Sequence, residues 1–201
     1  MITSVDPPRI TVHPYRFTYE KVLAMAEAGM LPEHEHVELI DGQLIPMTPV
    51  NRPHYKCVNR MTRRFVVATE AIDTAVTVSV QNPLHLDAHN VPEPDLTLLR
   101  GPDADATADA ALLVVEVSDT TLAYDRDTKL PLYAEAELPE VWIVNLQARQ
   151  VAVYREPKGP AYGLRRLVDA EDMLSIKTLP DAEPIAVSDI LPPPDASDAD
   201  S

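Results

Sequence analysis

The stretch Leu112-Leu113-Val114-Val115-Glu116-Val117 decides the fold, because every position except the glutamate is apolar and β-prone. A run of this kind is typical of a strand that is covered on both faces. Val141-Trp142-Ile143-Val144 is a second run of the same type later in the chain. Two such strands predict an α/β (α+β) protein with a mixed central β-sheet flanked by helices.

Further strands are predicted from shorter β-prone runs that lie between Pro, Asn and Gly residues. These runs are Val76–Val80, Leu84–Leu86, Leu96–Leu99, Arg149–Tyr154 and Tyr162–Val168. Closer to the start, Asp41-Gly42 separates Val37–Ile40 from Gln43–Ile45, which is the pattern of a β-hairpin with a tight turn.

Three helices are predicted from capping residues and apolar spacing. The first runs from a Thr18 cap to about residue 28, and the second covers residues 54–72. The third is expected to begin near Asp127 or Thr128 and to end near residue 137. Pro131 fits this helix only in its first turn, where backbone N–H groups have no partner within the helix.

The length of 201 residues suits one domain, expected over residues 15–191. We expect a flexible lead-in at residues 1–14 and a disordered acidic tail at residues 192–201. No apolar run approaches the roughly 20 residues of a membrane span. A single cysteine, Cys57, forms no internal disulfide, which favours a reducing compartment. The expected location is therefore cytoplasmic, without membrane contact.

The formal net charge of −15 restricts the partners that the surface can bind. A nucleic-acid-binding surface normally carries a basic face, because phosphate neutralisation supplies much of its affinity. A polyanion partner would therefore need a local basic patch, metal ions, or both. Arg60, Arg63 and Arg64 form the best basic stripe, although a solvated helix face is the simpler interpretation for each of them.

Two acidic residues are candidates for the site because one lies inside a predicted strand and the other lies at the start of the preceding strand. Glu116 lies inside the most hydrophobic strand, where a carboxylate needs a cation or hydrogen-bond partners. Asp95 lies at the start of the preceding strand, so adjacent strands could bring both carboxylates to one point. Two hard oxygen ligands suit Mg²⁺ or Mn²⁺. Lys129, at the start of the next helix, could return an ammonium to the same point.

Several motifs in this order resemble the Uma2 (DUF820) group of endonucleases, which is similar in fold to the PD-(D/E)XK restriction-endonuclease-like proteins. The matching pieces are Glu38-Leu39-Ile40-Asp41-Gly42, Pro53-His54, Pro94-Asp95, Val114-Val115-Glu116-Val117-Ser118, Asp127-Lys129-Tyr133 and Glu140-Val141-Trp142-Ile143-Val144. Together they extend over most of the chain, from about Thr18 to Val168.

The resemblance implies a role for each matching acid. Asp95 and Glu116 would be the principal metal ligands, joined by the backbone carbonyl of Val117. Glu38 would be a further catalytic acid that binds the metal directly or through water. Ser118 stands where the general nuclease pattern has its lysine, so the resemblance implies that Lys129 takes that role from the following helix.

Substrate-binding or supporting roles are predicted for Ser118 and for three further neighbours, and each of those three has a simpler alternative. His54 could bond to the site or to a phosphate, or it could be an ordinary residue at a helix start. Gln81 could contact the site, or it could be a polar residue at a strand end. Tyr133 lies one helical turn after Lys129, where packing of the helix is the simpler role.

The leading functional prediction is a Mg²⁺- or Mn²⁺-dependent endonuclease that hydrolyses phosphodiester bonds in DNA. A second hypothesis is a nuclease-fold binding or regulatory module, as a homodimer, with little turnover. A third is a nuclease that acts on RNA, which would use the same metal chemistry. The residues themselves do not separate DNA from RNA.

Overall fold

The computed structural model describes residues 14–31, 36–47 and 49–193. The predicted lead-in, apart from Pro14, lies outside the described residues, and so does the predicted tail from residue 194 onward. Pro192 belongs to the described part, and its carbonyl accepts a hydrogen bond of 2.9 Å from Arg149 Nη1. Within the described ranges, no helix combines the length and the apolar character needed to cross a bilayer.

The strands form one large sheet and two short pairs. The hairpin consists of β1 (Val37–Ile40) and β2 (Gln43–Pro46). The central sheet contains β3 (Val76–Val80), β4 (Leu96–Arg100), β5 (Ala111–Ser118), β6 (Glu140–Asn145), β7 (Gln150–Lys158) and β8 (Ala161–Val168). The second short pair joins β9 (Met173–Leu174) to β10 (Ile185–Ala186).

The central sheet is mixed, as the sequence predicts. Its strands lie in the order β3-β4-β5-β6-β7-β8, and each neighbouring pair is antiparallel except β5 and β6, which are parallel. A parallel connection must carry the chain back to the starting edge of the sheet, usually through a helix. The segment between β5 and β6 is therefore a helical crossover, and it begins beside Glu116.

The helices are α1 (Tyr19–Glu27), α2 (Arg52–Glu70), α3 (Leu122–Tyr124), α4 (Leu130–Glu135) and α5 (Val187–Ile190). A single 3₁₀ turn covers Ala108–Ala110. Between α3 and α4 the residues Asp125–Lys129 form a π turn, so that the crossover is helical without interruption from Leu122 to Glu135.

The two faces of the sheet bury different helices. On one face, α2 places Met61 and Phe65 against Val115, Val117 and Trp142, and the Phe65 and Trp142 ring centroids lie 5.8 Å apart. Because strand side chains alternate between faces, the neighbours of Val115 point the other way. Val114 and Glu116 therefore face the crossover.

The crossover helix differs from its prediction in its start. It begins at Leu122 instead of near Asp127, and Pro131 lies two residues beyond the π turn. Pro131 has no N–H to donate to the carbonyl four residues earlier, so an uninterrupted α-helical hydrogen-bond pattern is impossible there. A π turn, with bonds between residues five apart, changes the register immediately before this position.

The predicted strand Leu84–Leu86 is wrong. His85 forms only an isolated bridge to Thr107, and the chain then turns. The Asp87 side chain accepts hydrogen bonds from the backbone amides of His89 and Asn90. An aspartate that bonds to amides two and three residues ahead stabilises a turn, which prevents an extended strand.

Candidate active site

A pocket of about 350 Å³ opens where β4 and β5 meet the hairpin, α2 and the crossover. Its lining contains the carboxylates of Glu38, Glu93, Asp95, Glu116 and Asp125. The ammonium of Lys129 and the imidazole of His54 face the same space. The four principal predicted residues, Glu38, Asp95, Glu116 and Lys129, are therefore brought together.

The strand register explains how Asp95 meets Glu116. Leu96 in β4 is paired with Val115 in the antiparallel strand β5. Asp95 and Glu116, the residues just outside this pair, therefore lie side by side. The backbone N–H of Val117 donates to Asp95 Oδ2 at 2.8 Å. This bond fixes the Asp95 carboxylate against the β5 edge, where the sequence predicts it.

Lys129 lies between two carboxylates. Its Nζ is 3.1 Å from Glu38 Oε2 and 3.1 Å from Glu116 Oε1, and the residue is only 4% exposed. Burial by itself lowers the pKa of an ammonium, but the charges of Glu116, Glu38 and Asp125 outweigh it and raise the pKa of Lys129. Lys129 therefore stays protonated, and it can donate hydrogen bonds but cannot act as a base.

One carboxylate oxygen of Glu116 accepts hydrogen bonds from the protein, and the other has no donor among the described residues. Oε1 accepts from Lys129 Nζ and from the Tyr133 hydroxyl, whereas no group in the described residues donates to Oε2. Burial, reinforced by the charges of Asp125 and Asp95, raises the pKa of Glu116 to about 8 although Lys129 opposes the change. The buried carboxyl therefore gives up its proton less readily than a free glutamate, and a bound cation would favour its ionised form.

Glu38 has both oxygens occupied. The Tyr124 hydroxyl donates to Oε1 at 2.8 Å. Oε2 accepts the backbone N–H of Glu93 at 3.2 Å and contacts Lys129 Nζ. Glu38 thus joins the hairpin to the crossover, through Tyr124 and Lys129, and to the segment before β4, through Glu93.

His54 and Gln81 both contact Asp95. His54 Nε2 lies 3.1 Å from Asp95 Oδ2, and Gln81 Nε2 donates to Asp95 Oδ1 at a longer 3.3 Å. Burial lowers the pKa of His54, but its hydrogen bond to Asp95 and the charge of that carboxylate raise the pKa overall. His54 Nδ1 is buried and has no hydrogen-bond partner within the described residues. His54 therefore contacts the site through Asp95.

Ser118 and Tyr133 also lie at the site. The Ser118 hydroxyl donates to Asp125 Oδ2 at 2.7 Å, and the Thr121 hydroxyl donates to the same oxygen at 2.7 Å. Tyr133 packs in the core below the crossover, and its hydroxyl reaches Glu116. Its role is therefore more than the packing that the sequence suggests.

Sequence reasoning missed Glu93, Tyr124 and Asp125. Asp125 lies four residues before Lys129, and this spacing was a usable signal for a shared helix face. Glu93 stands two residues before Asp95 in Pro92-Glu93-Pro94-Asp95, where alternation along an extended chain would place both on one side. Nothing in the sequence separates Tyr124 from an ordinary helix tyrosine.

The side chains of the pocket can be compared with the ligands that a divalent metal ion requires. In the described part of the chain, no three His, Cys, Asp or Glu side chains are arranged to hold a metal on their own. Mg²⁺, however, commonly binds one or two carboxylates and keeps several waters. Asp95 and Glu116 Oε2 supply such a pair. The N–H of Val117 points to Asp95, so its carbonyl faces the same edge of β5. This oxygen donor set fits Mg²⁺ or Mn²⁺.

The family model of Uma2, described as "Putative restriction endonuclease", matches residues 19–188. The chain belongs to the Uma2 family. Among curated proteins, none matches the sequence. Among solved structures, the chain is similar to a crystal structure described as a putative nuclease belonging to DUF820 from Anabaena variabilis ATCC 29413.

That Anabaena structure superposes with a TM-score of 0.64 at 13% sequence identity. The match covers 83% of this chain and 96% of the Anabaena chain. At 13% identity this similarity is evidence for a shared fold alone. The predicted membership of Uma2 and the predicted nuclease fold are both confirmed, and together they support a nuclease.

Proposed function

We propose that this Uma2 protein is a Mg²⁺- or Mn²⁺-dependent endonuclease that hydrolyses phosphodiester bonds in DNA. The observation that carries the proposal is the meeting of Asp95, Glu116 and Lys129 in a pocket that is lined by five carboxylates. A structural ion pair with Lys129 would need only one of these carboxylates. A carboxylate pair in which Glu116 Oε2 has no donor among the described residues, beside a buried ammonium, suits phosphoryl chemistry.

The divalent ion would be held by Asp95, by Glu116 and by the carbonyl of Val117. When bound, the ion supplies Lewis-acid polarisation of the phosphate and lowers the pKa of water. Asp95 is oriented for this role by the N–H of Val117, by His54 and by Gln81. Glu116 is oriented by the Tyr133 hydroxyl and by Lys129.

Lys129 would stabilise the charge that develops on the phosphate oxygens. An ammonium has three donors; Lys129 Nζ donates one to Glu116 Oε1 and lies 3.1 Å from Glu38 Oε2. The third can reach a phosphate oxygen or the attacking water. Because the neighbouring carboxylates raise the pKa of Lys129, the ammonium is charged at neutral pH and this donor is present.

Glu38 would act by positioning Lys129. Glu38 Oε2 is paired with the Lys129 ammonium, whereas Asp95 has no lysine or arginine partner among the described residues, and this difference supports positioning over direct metal binding. This role differs from the one that the family resemblance implies for Glu38, which is to bind the metal directly or through water.

The alternatives differ in what the pocket does after binding. A nuclease-fold binding or regulatory module would hold the metal or a partner without turnover, and a ribonuclease would use the same groups on RNA. The acidic character of the chain is the observation that favours the binding module. A homodimer and a cytoplasmic location stay predictions.

The proposal is tested by incubating the purified protein with supercoiled plasmid, single-stranded DNA and RNA, each with Mg²⁺, Mn²⁺ or EDTA. Glu116→Gln is the active-site variant, and Glu70→Gln, at the exposed end of α2, is its matched control. We expect metal-dependent DNA cutting that Glu116→Gln abolishes and Glu70→Gln retains. Cutting that survives in Glu116→Gln would contradict the proposal. Mn²⁺ binding without any cutting would favour the binding module.

A further inference from the structure

The pocket has an apolar wall beside its acidic floor. This apolar wall consists of Ile45, Pro46, Met47 and Val50. The first two belong to β2, and the others lie in the segment that leads to α2. Val50 is 54% exposed, so the wall reaches from the site to the solvent. Neither metal binding nor hydrolysis of the phosphate requires such a surface.

The charges of the lining do not favour a long stretch of phosphates. Among the described residues that line the pocket, Lys129 and His54 are the cationic ones, and each is bonded to a carboxylate. Proteins that hold duplex DNA along its backbone neutralise many phosphates with Lys and Arg. This lining instead offers the substrate the Lys129 ammonium for one phosphate, and an apolar surface next to that phosphate.

The Arg stripe of α2 does not supply the missing cations. Arg64 pairs with the Asp189 carboxylate of α5, and Arg60 Nη1 donates to the Asp189 carbonyl at 3.3 Å. Two members of the stripe therefore hold α5 in place. Neither of these two arginines lines the pocket.

The depth of the site favours a flexible strand. Glu116 and Asp95 are 3% and 9% exposed, so the scissile phosphate must descend into the pocket. Its volume of about 350 Å³ suits a group the size of a nucleotide. In a duplex the bases are stacked, and only their edges are accessible in the grooves. An apolar wall can contact the face of a base only after that base has left the stack.

We propose that this site acts on unpaired nucleotides, in single-stranded DNA or at frayed ends, and that the apolar wall receives the base or deoxyribose next to the scissile phosphate. This inference rests on the nuclease function proposed above. It names the substrate class that the same site would take, and it assigns Ile45, Met47 and Val50 to substrate specificity.

The test compares Mn²⁺-dependent cleavage of a single-stranded oligonucleotide with cleavage of a relaxed, covalently closed duplex circle. Val50→Ser and Met47→Ser alter the wall, and Leu167→Ser alters an exposed residue of β8 outside the pocket. We expect kcat/KM to be at least about tenfold higher for the single strand. Each wall variant should raise its KM about tenfold with little change in kcat, the size of one lost base contact, and Leu167→Ser should change neither.

The outcomes separate the two proposals. A duplex circle cut as efficiently as the single strand, or wall variants with unchanged KM, would overturn the preference for unpaired nucleotides and leave the nuclease function standing. Failure to cut any substrate with Mn²⁺ present would overturn the nuclease function and, with it, this inference. A KM effect confined to the single strand would support both.

Discussion

The ammonium of Lys129 lies 3.1 Å from Glu116 Oε1, although the two residues come from different elements. Glu116 belongs to β5, and Lys129 ends the π turn of the crossover that follows. The lysine of the general nuclease pattern would stand at Ser118, whose hydroxyl here bonds to Asp125. Lys129 thus reaches the same carboxylate from another part of the chain, as its predicted role requires.

Replacing Lys129 by Met should lower both activity and stability. Loss of a donor that stabilises transition-state charge typically lowers kcat by about 10²–10³-fold. Removing the cation from a buried pair leaves Glu38 and Glu116 uncompensated, which should reduce the free energy of unfolding by about 3–5 kcal/mol. Single-turnover cleavage and denaturant unfolding measure the two effects.

The double variant Glu38→Gln/Lys129→Met is the control for this experiment. It removes one of the uncompensated charges, so part of the lost stability should return while activity stays low. A Lys129→Met protein that cuts DNA at the wild-type rate would show that the ammonium has no part in the chemistry.

Glu38→Gln should slow cleavage without weakening metal binding. Glu38 Oε2 is paired with the Lys129 ammonium, so the substitution should affect the position of Lys129 and not the metal ligands. Loss of a partner that orients a catalytic group typically costs about 10-fold or more in activity. Calorimetric titration with Mn²⁺ and cleavage rates give the two readouts. A clear rise in the Mn²⁺ Kd would instead make Glu38 a ligand.

Tyr124→Phe is a milder test of the same arrangement. It removes the hydroxyl that donates to Glu38 Oε1 but keeps the ring, which lies 5.9 Å from Lys129 Nζ. We expect a smaller loss of cleavage rate than in Glu38→Gln, again with unchanged Mn²⁺ affinity. A larger loss than in Glu38→Gln would show that the tyrosine acts independently of the glutamate.

Cys57 should be unreactive in the folded protein. Burial, aided by the charge of Asp95, raises the pKa of its thiol to about 12, and Arg60 opposes this only in part. A raised pKa lowers the thiolate fraction, so at pH 8 this fraction should be about 10³ below that of a free cysteine. A chromogenic disulfide reagent should label the native protein only slowly and the denatured protein at once. Equal labelling rates would contradict the buried position of Cys57.

The central sheet could be predicted because its strands are long, apolar and bounded by turn signals. Glu116 was identifiable for the same reason, since an acid inside such a strand requires a partner. Its meeting with Asp95 followed from the adjacency of β4 and β5, and the family motifs pointed to Glu38 and Lys129. These inferences depended on strand order and charge, which the sequence encodes locally.

The finer contacts of the site could not be predicted. The hydrogen bonds of a π turn join residues five apart instead of four, and the spacing of apolar residues in the sequence does not specify such a shift. The positions of Tyr124 and Asp125 depend on that turn. Likewise, the bond between His54 and Asp95 depends on how α2 docks against the sheet. Leu84–Leu86 has the composition of a strand, but the turn formed by Asp87 prevails over it.

Calorimetric titration of the metal-free protein with Mn²⁺, beside Asp95→Asn, tests the metal site most directly. Asparagine keeps the shape of the side chain and can still accept from the N–H of Val117, so the fold should survive while the carboxylate is lost. Asp189→Asn on the exposed side of α5 is the control. The account predicts saturable Mn²⁺ binding that Asp95→Asn weakens strongly and Asp189→Asn leaves intact. Mn²⁺ binding that is equal in all three proteins, or absent from the wild type, would contradict it.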